Sequence, residues 1–446
     1  MSVLVNAVIV LGFQVSPALG QTPTEESWFG LDETSPVAQD SADWRFDWGL
    51  RGGGGFFNFR NSLFSDVPPG QPDDLADEWF EGFIKGWTSF ERDLGGGEFF
   101  GEVSYAVAAN GRHTAQLVGG DANSSDLDAL YLGWRRGRPA TGRFEIRAGR
   151  TPYVHAQQFL LADGYQDGGS RGGYWSNART AWAPGVVTRY ARDPWEIEAF
   201  WLGRDERPEA DTDTDVGGVD LAWRSRGQVL ELGAAWLTLA ANARAPQRDG
   251  AEVFNLRAYW KPVELPLVVS SEWVHQSNGL ALDAQAAYLQ ADWTFEETAW
   301  QWNLTYRYAW FEGDDPQTPA NENYDPLFPG FLDWGTWWQG EIAGEYFLSN
   351  SNLSTHMLKL RIQPLPSLTT GWVWFDYTVH RPGSFEGGIT SDALGTEIDW
   401  YLDYQFNEFM SISVVLAETD PGPAAEQAFD RTSNLRIAFA YLNFRY

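Results

Sequence analysis

The chain has 446 residues and a formal net charge of -30, with 61 acidic residues against 31 Lys and Arg. That balance excludes a nucleic-acid partner, which needs a basic footprint, and the absence of Cys excludes a disulfide framework and a thiolate metal site. A mean hydropathy of -0.36, with no apolar run of about 18 residues beyond the N-terminus, excludes a transmembrane helix but not a transmembrane barrel, in which only alternate residues face lipid.

Residues 1–20 carry no charge, and no basic residue precedes Arg45. Val3 to Phe13 is an apolar stretch, and Ala18 and Gly20 stand where a signal peptidase needs small residues, so 1–20 is expected to be a signal peptide and Gln21 the mature start. Residues 21–43 hold Glu25, Glu26, Asp32, Glu33, Asp40 and Asp43 without a basic residue. Such a composition cannot bury a core, and an acidic periplasmic leader is expected there, before a barrel over 44–446.

From residue 44 the hydrophobic period is two. Trp44, Phe46, Trp48 and Leu50 alternate with Arg45, Asp47, Gly49 and Arg51. The pattern returns at Phe144, Ile146 and Ala148 against Arg143, Glu145 and Arg147, and at Phe254, Leu256, Ala258 and Trp260 against Asn255, Arg257 and Tyr259. Trp300 to Trp310 and Thr396 to Tyr404 repeat it. Successive side chains of a strand point to opposite faces, so each run has one aromatic, apolar face and one charged face. The runs span roughly nine to twelve residues, the length a tilted strand needs to cross a bilayer. Rings sit at both ends of several apolar faces, and the chain holds 24 Trp, 17 Tyr and 28 Phe. That is the girdle pattern of an outer-membrane barrel.

About 18 such segments can be counted. Short connections (136–141, 363–367) alternate with long ones (61–77, 151–184, 312–337, 381–392), as short periplasmic turns alternate with long extracellular loops. The expected fold is therefore all-β: a transmembrane antiparallel β-barrel of about 18 strands in the bacterial outer membrane. No helical stretch stands out. Ala438, Ala440, Leu442, Phe444 and Tyr446 make a terminal aromatic strand of the sort read by the barrel assembly machinery.

Two stretches, 127–190 and 324–427, resemble the bacterial alginate export family of outer-membrane barrels. The first carries DALYLGWRRG, FEIRAGR and APGVVTRY. The second carries YDPLFPGFLDWGTWWQGEIAGEY, LPSLTTGWVWFDY and ALGTEIDWYLDY, in the order loop, Gly-Glu strand, Gly-Thr-Glu-Ile-Asp strand. The resemblance implies an 18-stranded barrel with arginines in the lumen and a long outer loop partly gating it.

Opposite the aromatic faces lie Arg45, Arg51, Arg143, Arg147, Arg257, Arg307, Lys359 and Arg361, together with Asp47, Glu145, Asp220, Glu231, Glu272, Asp292, Glu341, Glu345, Glu397, Asp399 and Asp403. The candidate pore-lining and substrate-binding residues are those eight cations with Glu341, Glu397 and Asp399. A lumen that alginate crosses should be strongly basic, and this one is mixed. The charges either select solutes by local sign or form cross-strand ion pairs that stiffen the wall.

Other motifs add little. Gly168-Gly169-Ser170-Arg171-Gly172 matches G-x-S-x-G but lies in a Gly-rich loop without the strand and helix a nucleophile elbow needs. Asp211, Asp213 and Asp215 begin like a calcium loop, but Val216 and Ala222 occupy its Gly and Glu positions. Gly52–Gly55 lacks the Lys-Ser/Thr of a phosphate loop and reads as a hairpin connection. No cofactor, metal or catalytic set is expected. The main functional reading is a channel for export or diffusion of a polysaccharide or other polar solute. Its rivals are a small-solute porin, an outer-membrane hydrolase using Ser170 with His155, and a structural barrel with cation-binding acidic loops. Outer-membrane lipid, lipopolysaccharide and periplasmic polysaccharide-export components are the expected partners.

Overall fold

The computed structural model describes residues 44–61, 76–111, 122–208, 210–295, 298–330, 334–344, 348–385, 388–429 and 433–446. The expected signal peptide and acidic leader lie outside them. The described residues form one 18-stranded antiparallel sheet. Its first half is β1 (Arg45–Arg60), β2 (Ala76–Asp93), β3 (Glu98–Gly111), β4 (Ala122–Arg138), β5 (Gly142–Thr151), β6 (Trp182–Arg192), β7 (Trp195–Gly203), β8 (Asp215–Arg224) and β9 (Leu230–Ala240). The second is β10 (Glu252–Trp260), β11 (Leu267–Ser277), β12 (Asp283–Phe295), β13 (Trp302–Phe311), β14 (Leu353–Leu365), β15 (Leu368–Val379), β16 (Ala393–Asn407), β17 (Met410–Pro421) and β18 (Leu435–Arg445). Each strand pairs with the next, and β1 pairs with β18, so the sheet closes without a free edge.

The alternation sorts the faces as the sequence implies. Trp201, Trp236, Phe254 and Trp374 stand outward at one end of the barrel, and Trp195, Trp260, Trp293 and Trp302 at the other. Both rows suit the two water–lipid interfaces. The start of β1, the end of β18 and the short turns share one end, which is the periplasmic end by the usual asymmetry.

Strands range from 9 to 18 residues, longer at the upper end than the alternating runs suggest. Two short helices, Thr336–Gln339 and Pro423–Phe429, escape a reading based on alternation. Gly52–Gly55 is not a hairpin connection: it lies within β1, paired on both sides. The glycines let rings lie flat on the closing seam. A Cβ at Gly53 would land on the Tyr441 ring, and one at Gly52 would meet Phe444. Rings covering strand glycines compensate for the side chain that glycine lacks.

The seam therefore yields a prediction. Gly53→Val should destabilise the folded barrel by about 1–3 kcal/mol through overpacking. Gly54→Ala, where the nearest atom is the Glu81 carbonyl oxygen at 3.4 Å, should be tolerated. Thermal loss of the compact, unheated gel band measures both, and equal behaviour of the two variants would contradict this view of the seam.

Candidate functional site

Inside the barrel the outer half is not an open tube. The loop between β5 and β6 (152–181) folds inward and touches much of the wall. At its start, the Tyr153 hydroxyl donates to Glu198 on β7 at 2.7 Å, and His155 faces Asp220 on β8 at 3.7 Å. Further on, Phe159 packs against Tyr288 of β12 and Phe311 of β13. Trp175 then crosses to the seam, where its ring lies on Phe57 of β1 and Phe439 of β18 and its backbone N–H donates to Glu81 of β2 at 2.5 Å. The aromatic content of this loop explains its position, since such rings gain more from burial than from water.

Buried charges fix the same loop. Asp128 on β4 accepts the N–H groups of Thr180 and Ala181 at 2.7 and 3.0 Å and pairs with the Lys85 ammonium of β2. Within the loop, Asp167 accepts the Arg179 Nε–H at 2.8 Å, both side chains being out of contact with water. The Arg147 guanidinium donates to the Pro152 carbonyl at 2.8 Å.

The described parts of the loop between β13 and β14 (312–330, 334–344 and 348–352) enter from the far side. The region expected to be a Gly-Glu strand belongs to it: Glu341 lies on no strand, and Glu345 lies outside the described residues. The reason is chemical. Glu397 on β16 accepts the N–H groups of Ile342 and Ala343 at 2.8 Å each, and Asp399 accepts that of Glu341 at 3.2 Å. Carboxylates thus take the donors that a strand would have offered to a neighbour. The Tyr377 hydroxyl donates to the Gln339 carbonyl at 2.9 Å. Arg307 on β13 donates to the Trp338 carbonyl and lies 4.2 Å from the Trp334 ring centre, and the Lys359 ammonium sits 3.8 Å from that of Trp338.

The two loops bind each other within the lumen. Ala162 N–H donates to the Phe328 carbonyl at 2.8 Å, Phe328 N–H to Leu160 at 3.1 Å, and Gly330 N–H to Gln158 at 2.8 Å. Two guanidinium groups lie over the Phe328 ring, Arg204 at 4.3 Å and Arg248 at 4.9 Å. Each arginine has an acidic partner: Asp163 at 3.4 Å for Arg204, and Asp325 at 2.6 and 2.7 Å for Arg248.

The candidate residues now divide. Arg147, Arg307, Lys359, Glu341, Glu397 and Asp399 are brought together with the two loops and hold them. Arg257 pairs with Asp220 through two hydrogen bonds of 2.6 and 2.7 Å, and Arg143 with Glu145 at 3.2 Å. Arg45, at the periplasmic mouth, shares Glu91 and Glu98 with Arg135. Arg51 and Arg361 stay half-buried on the inner wall, Arg361 donating to Thr369 at 3.3 Å. Sequence reasoning missed Lys85, Asp128, Trp175, Phe328 and the Asp167–Arg179 pair. The rings of the 152–181 stretch were the available signal that this loop is buried.

The motif residues do not assemble a catalytic site. Ser170 sits on an exposed turn, Gly169–Arg171, with no flanking strand and helix, while His155 is buried against Asp220 and Phe200. Asp211 accepts the Asp213 N–H at 2.8 Å, and no trio of metal-ligating side chains occurs among the described residues.

No protein-family model and no curated protein matches this sequence. Solved structures do resemble the fold. The outer membrane protein OprD from Pseudomonas aeruginosa aligns with a TM-score of 0.55 and 11% identity, over 90% of this chain and 93% of that one. P. aeruginosa OccD3 gives 0.56 and 11%, over 91% and 93%. Acinetobacter baumannii OccAB2 gives 0.56 and 12%, over 90% and 98%. The fold is that of a bacterial outer-membrane β-barrel. At such identities the likeness concerns architecture alone, and it agrees with the outer-membrane location implied by the aromatic exterior.

Burial raises the Asp163 carboxyl to about 6, the nearby Arg204 opposing that shift. Its folded value thus exceeds the ordinary value of about 3.9. The stabilisation is full below about pH 4 and is lost as pH rises through about 6. The barrel should therefore lose its unheated gel band at a lower temperature at pH 7.5 than at pH 5, and Asp163→Asn should narrow that difference. An unchanged pH dependence in the variant would remove Asp163 from the account.

Proposed function

We propose that this chain is a diffusion channel for small polar solutes, narrowed by the 152–181 and 312–352 loops. The observation that carries the reading is the anchoring of both loops to the inner wall by buried charged side chains. A barrel of 16–18 strands is wide enough for an aqueous channel, and inward loops held in this way reduce it to a passage suited to small molecules. The architectural likeness to the OprD and Occ porins favours the same reading over polymer export. The mixed charge of the lumen also disfavours alginate, whose carboxylates call for a strongly basic path.

In this reading the half-buried Arg51 and Arg361 meet the solute, with Glu102 and Asp403 as their acidic neighbours. Arg147, Arg307 and Lys359 act as anchors. Inward-facing arginines suit this setting because the lipid side would cost about 2–4 kcal/mol each at the midplane. The guanidinium fork also matches carboxylates and phosphates.

Planar-bilayer recordings in a salt gradient distinguish the two groups. Arg51→Ala with Arg361→Ala should move the reversal potential toward cation preference. Arg147→Ala with Arg307→Ala should raise conductance and noise, and weaken loop docking by roughly 2–3 kcal/mol, through lost cation–π and charge-assisted hydrogen bonds. Alginate oligomers should not block the wild-type current. Block by such oligomers at micromolar concentration would return the chain to polysaccharide export.

A further inference from the structure

The periplasmic rim of this acidic protein has one basic sector. Four successive short turns, β4–β5, β6–β7, β8–β9 and β10–β11, together with the strand ends that enter them, carry Arg136, Arg138, Arg192, Arg226 and Lys261. The four arginines are exposed and Lys261 is half-buried. None of the five enters an ion pair among the described residues. Asp193 and Glu264 are the acidic residues on these turns, and Glu145, Glu196 and Glu231 on the adjoining strand ends pair with Arg143, Arg189 and Arg224. Elsewhere on the same rim the exposed charges alternate in sign, with Asp47, Asp93 and Glu408 beside Arg445 and an Arg45 that is paired with Glu91 and Glu98, and the whole chain carries -30. Unpaired cations gathered in one arc of such a chain call for an anionic partner.

The depth of the arc says which. Along the outward face of β4, Trp134 is followed two residues later by Arg136 and then by Arg138; along β6, Tyr190 is followed by Arg192. Arg192 is the register partner of Trp195, which in turn pairs with Trp223. Arg136 is the register partner of Phe144, whose ring lies 6.0 Å from that of Trp134. Rings of this kind settle at the headgroup boundary. The guanidinium groups one step beyond stand at phosphate level, with their stems along the apolar wall. We propose that this arc binds anionic glycerophospholipid headgroups of the periplasmic leaflet.

The guanidinium planes clasp the phosphodiester through paired N–H donors. The local excess of cations favours a headgroup without an ammonium, so phosphatidylglycerol outcompetes a zwitterionic lipid here. The rest of the rim carries exposed charges of both signs and holds it less. The barrel therefore holds an asymmetric lipid annulus, densest beside β4–β8.

The test uses the full chain in nanodiscs of phosphatidylcholine containing a minor fraction of phosphatidylglycerol. Native mass spectrometry reads the lipids retained as the disc is stripped. Wild type should retain phosphatidylglycerol in preference to phosphatidylcholine. The triple variant Arg136→Gln, Arg138→Gln, Arg192→Gln should lose that preference by roughly tenfold. Arg60→Gln with Arg436→Gln, at the opposite end of the barrel wall, should keep it. Heat-dependent gel mobility confirms that each variant is folded. Equal retention of the two lipids by wild type, or undiminished preference in the folded triple variant, overturns the proposal. So does displacement of phosphatidylglycerol by a synthetic acidic peptide of residues 21–43, which would make that leader the occupant.

Discussion

A charged group taken out of water must find partners, and the inner wall of this barrel finds them in its own loops. Glu397, Asp399 and Asp128 are buried carboxyl groups on strands. Unpaired, each would cost several kcal/mol. Here they accept backbone N–H groups from residues 180, 181 and 341–343. The exchange works in both directions, because loop backbone drawn inside a barrel also needs partners for its donors and acceptors. Wall and loop therefore satisfy each other, and the narrowed lumen follows from that mutual requirement.

The outer surface obeys the opposite rule. Its strands expose Leu, Ile, Val and aromatic side chains at levels that would be costly in water but suit lipid. Closure of β1 on β18 removes the last unpaired edge, and the Tyr446 amide and carbonyl complete that seam through hydrogen bonds with Leu50 of 2.7 and 2.9 Å. A rigid outer cylinder carries a lumen whose shape is set by polar contacts. That division lets the polar interior be tuned without disturbing the lipid-facing wall.

The period-two pattern made the barrel, its strand number and its inward face legible. Arg147 and Arg307 fall inside because Ile146 and Tyr306 fall outside. The resemblance to the alginate export family misled at residues 340–344, where Gly-Glu-Ile-Ala-Gly was expected to open a strand. What removes it from the sheet is a pair of carboxylates more than fifty residues away, at Glu397 and Asp399. Gly52–Gly55 resembled a turn because composition does not record the Tyr441 ring that covers Gly53. Pairs such as Lys85 with Asp128 and Arg257 with Asp220 join residues that only the closed sheet brings together. Alternation therefore gives the face on which a charge lies, whereas its role as anchor or solute contact depends on the partner opposite.

Hydrogen exchange of the folded protein, read by mass spectrometry after short and long labelling, tests the mutual satisfaction of wall and loop most directly. Amides in connecting loops ordinarily exchange fast. Those of Trp175, Thr180, Ala181, Ile342 and Ala343 should instead exchange as slowly as neighbouring strand amides, and Glu397→Ala should release the last two selectively. Rapid exchange at all five positions in the wild-type protein would contradict loops held in the lumen by buried carboxylates.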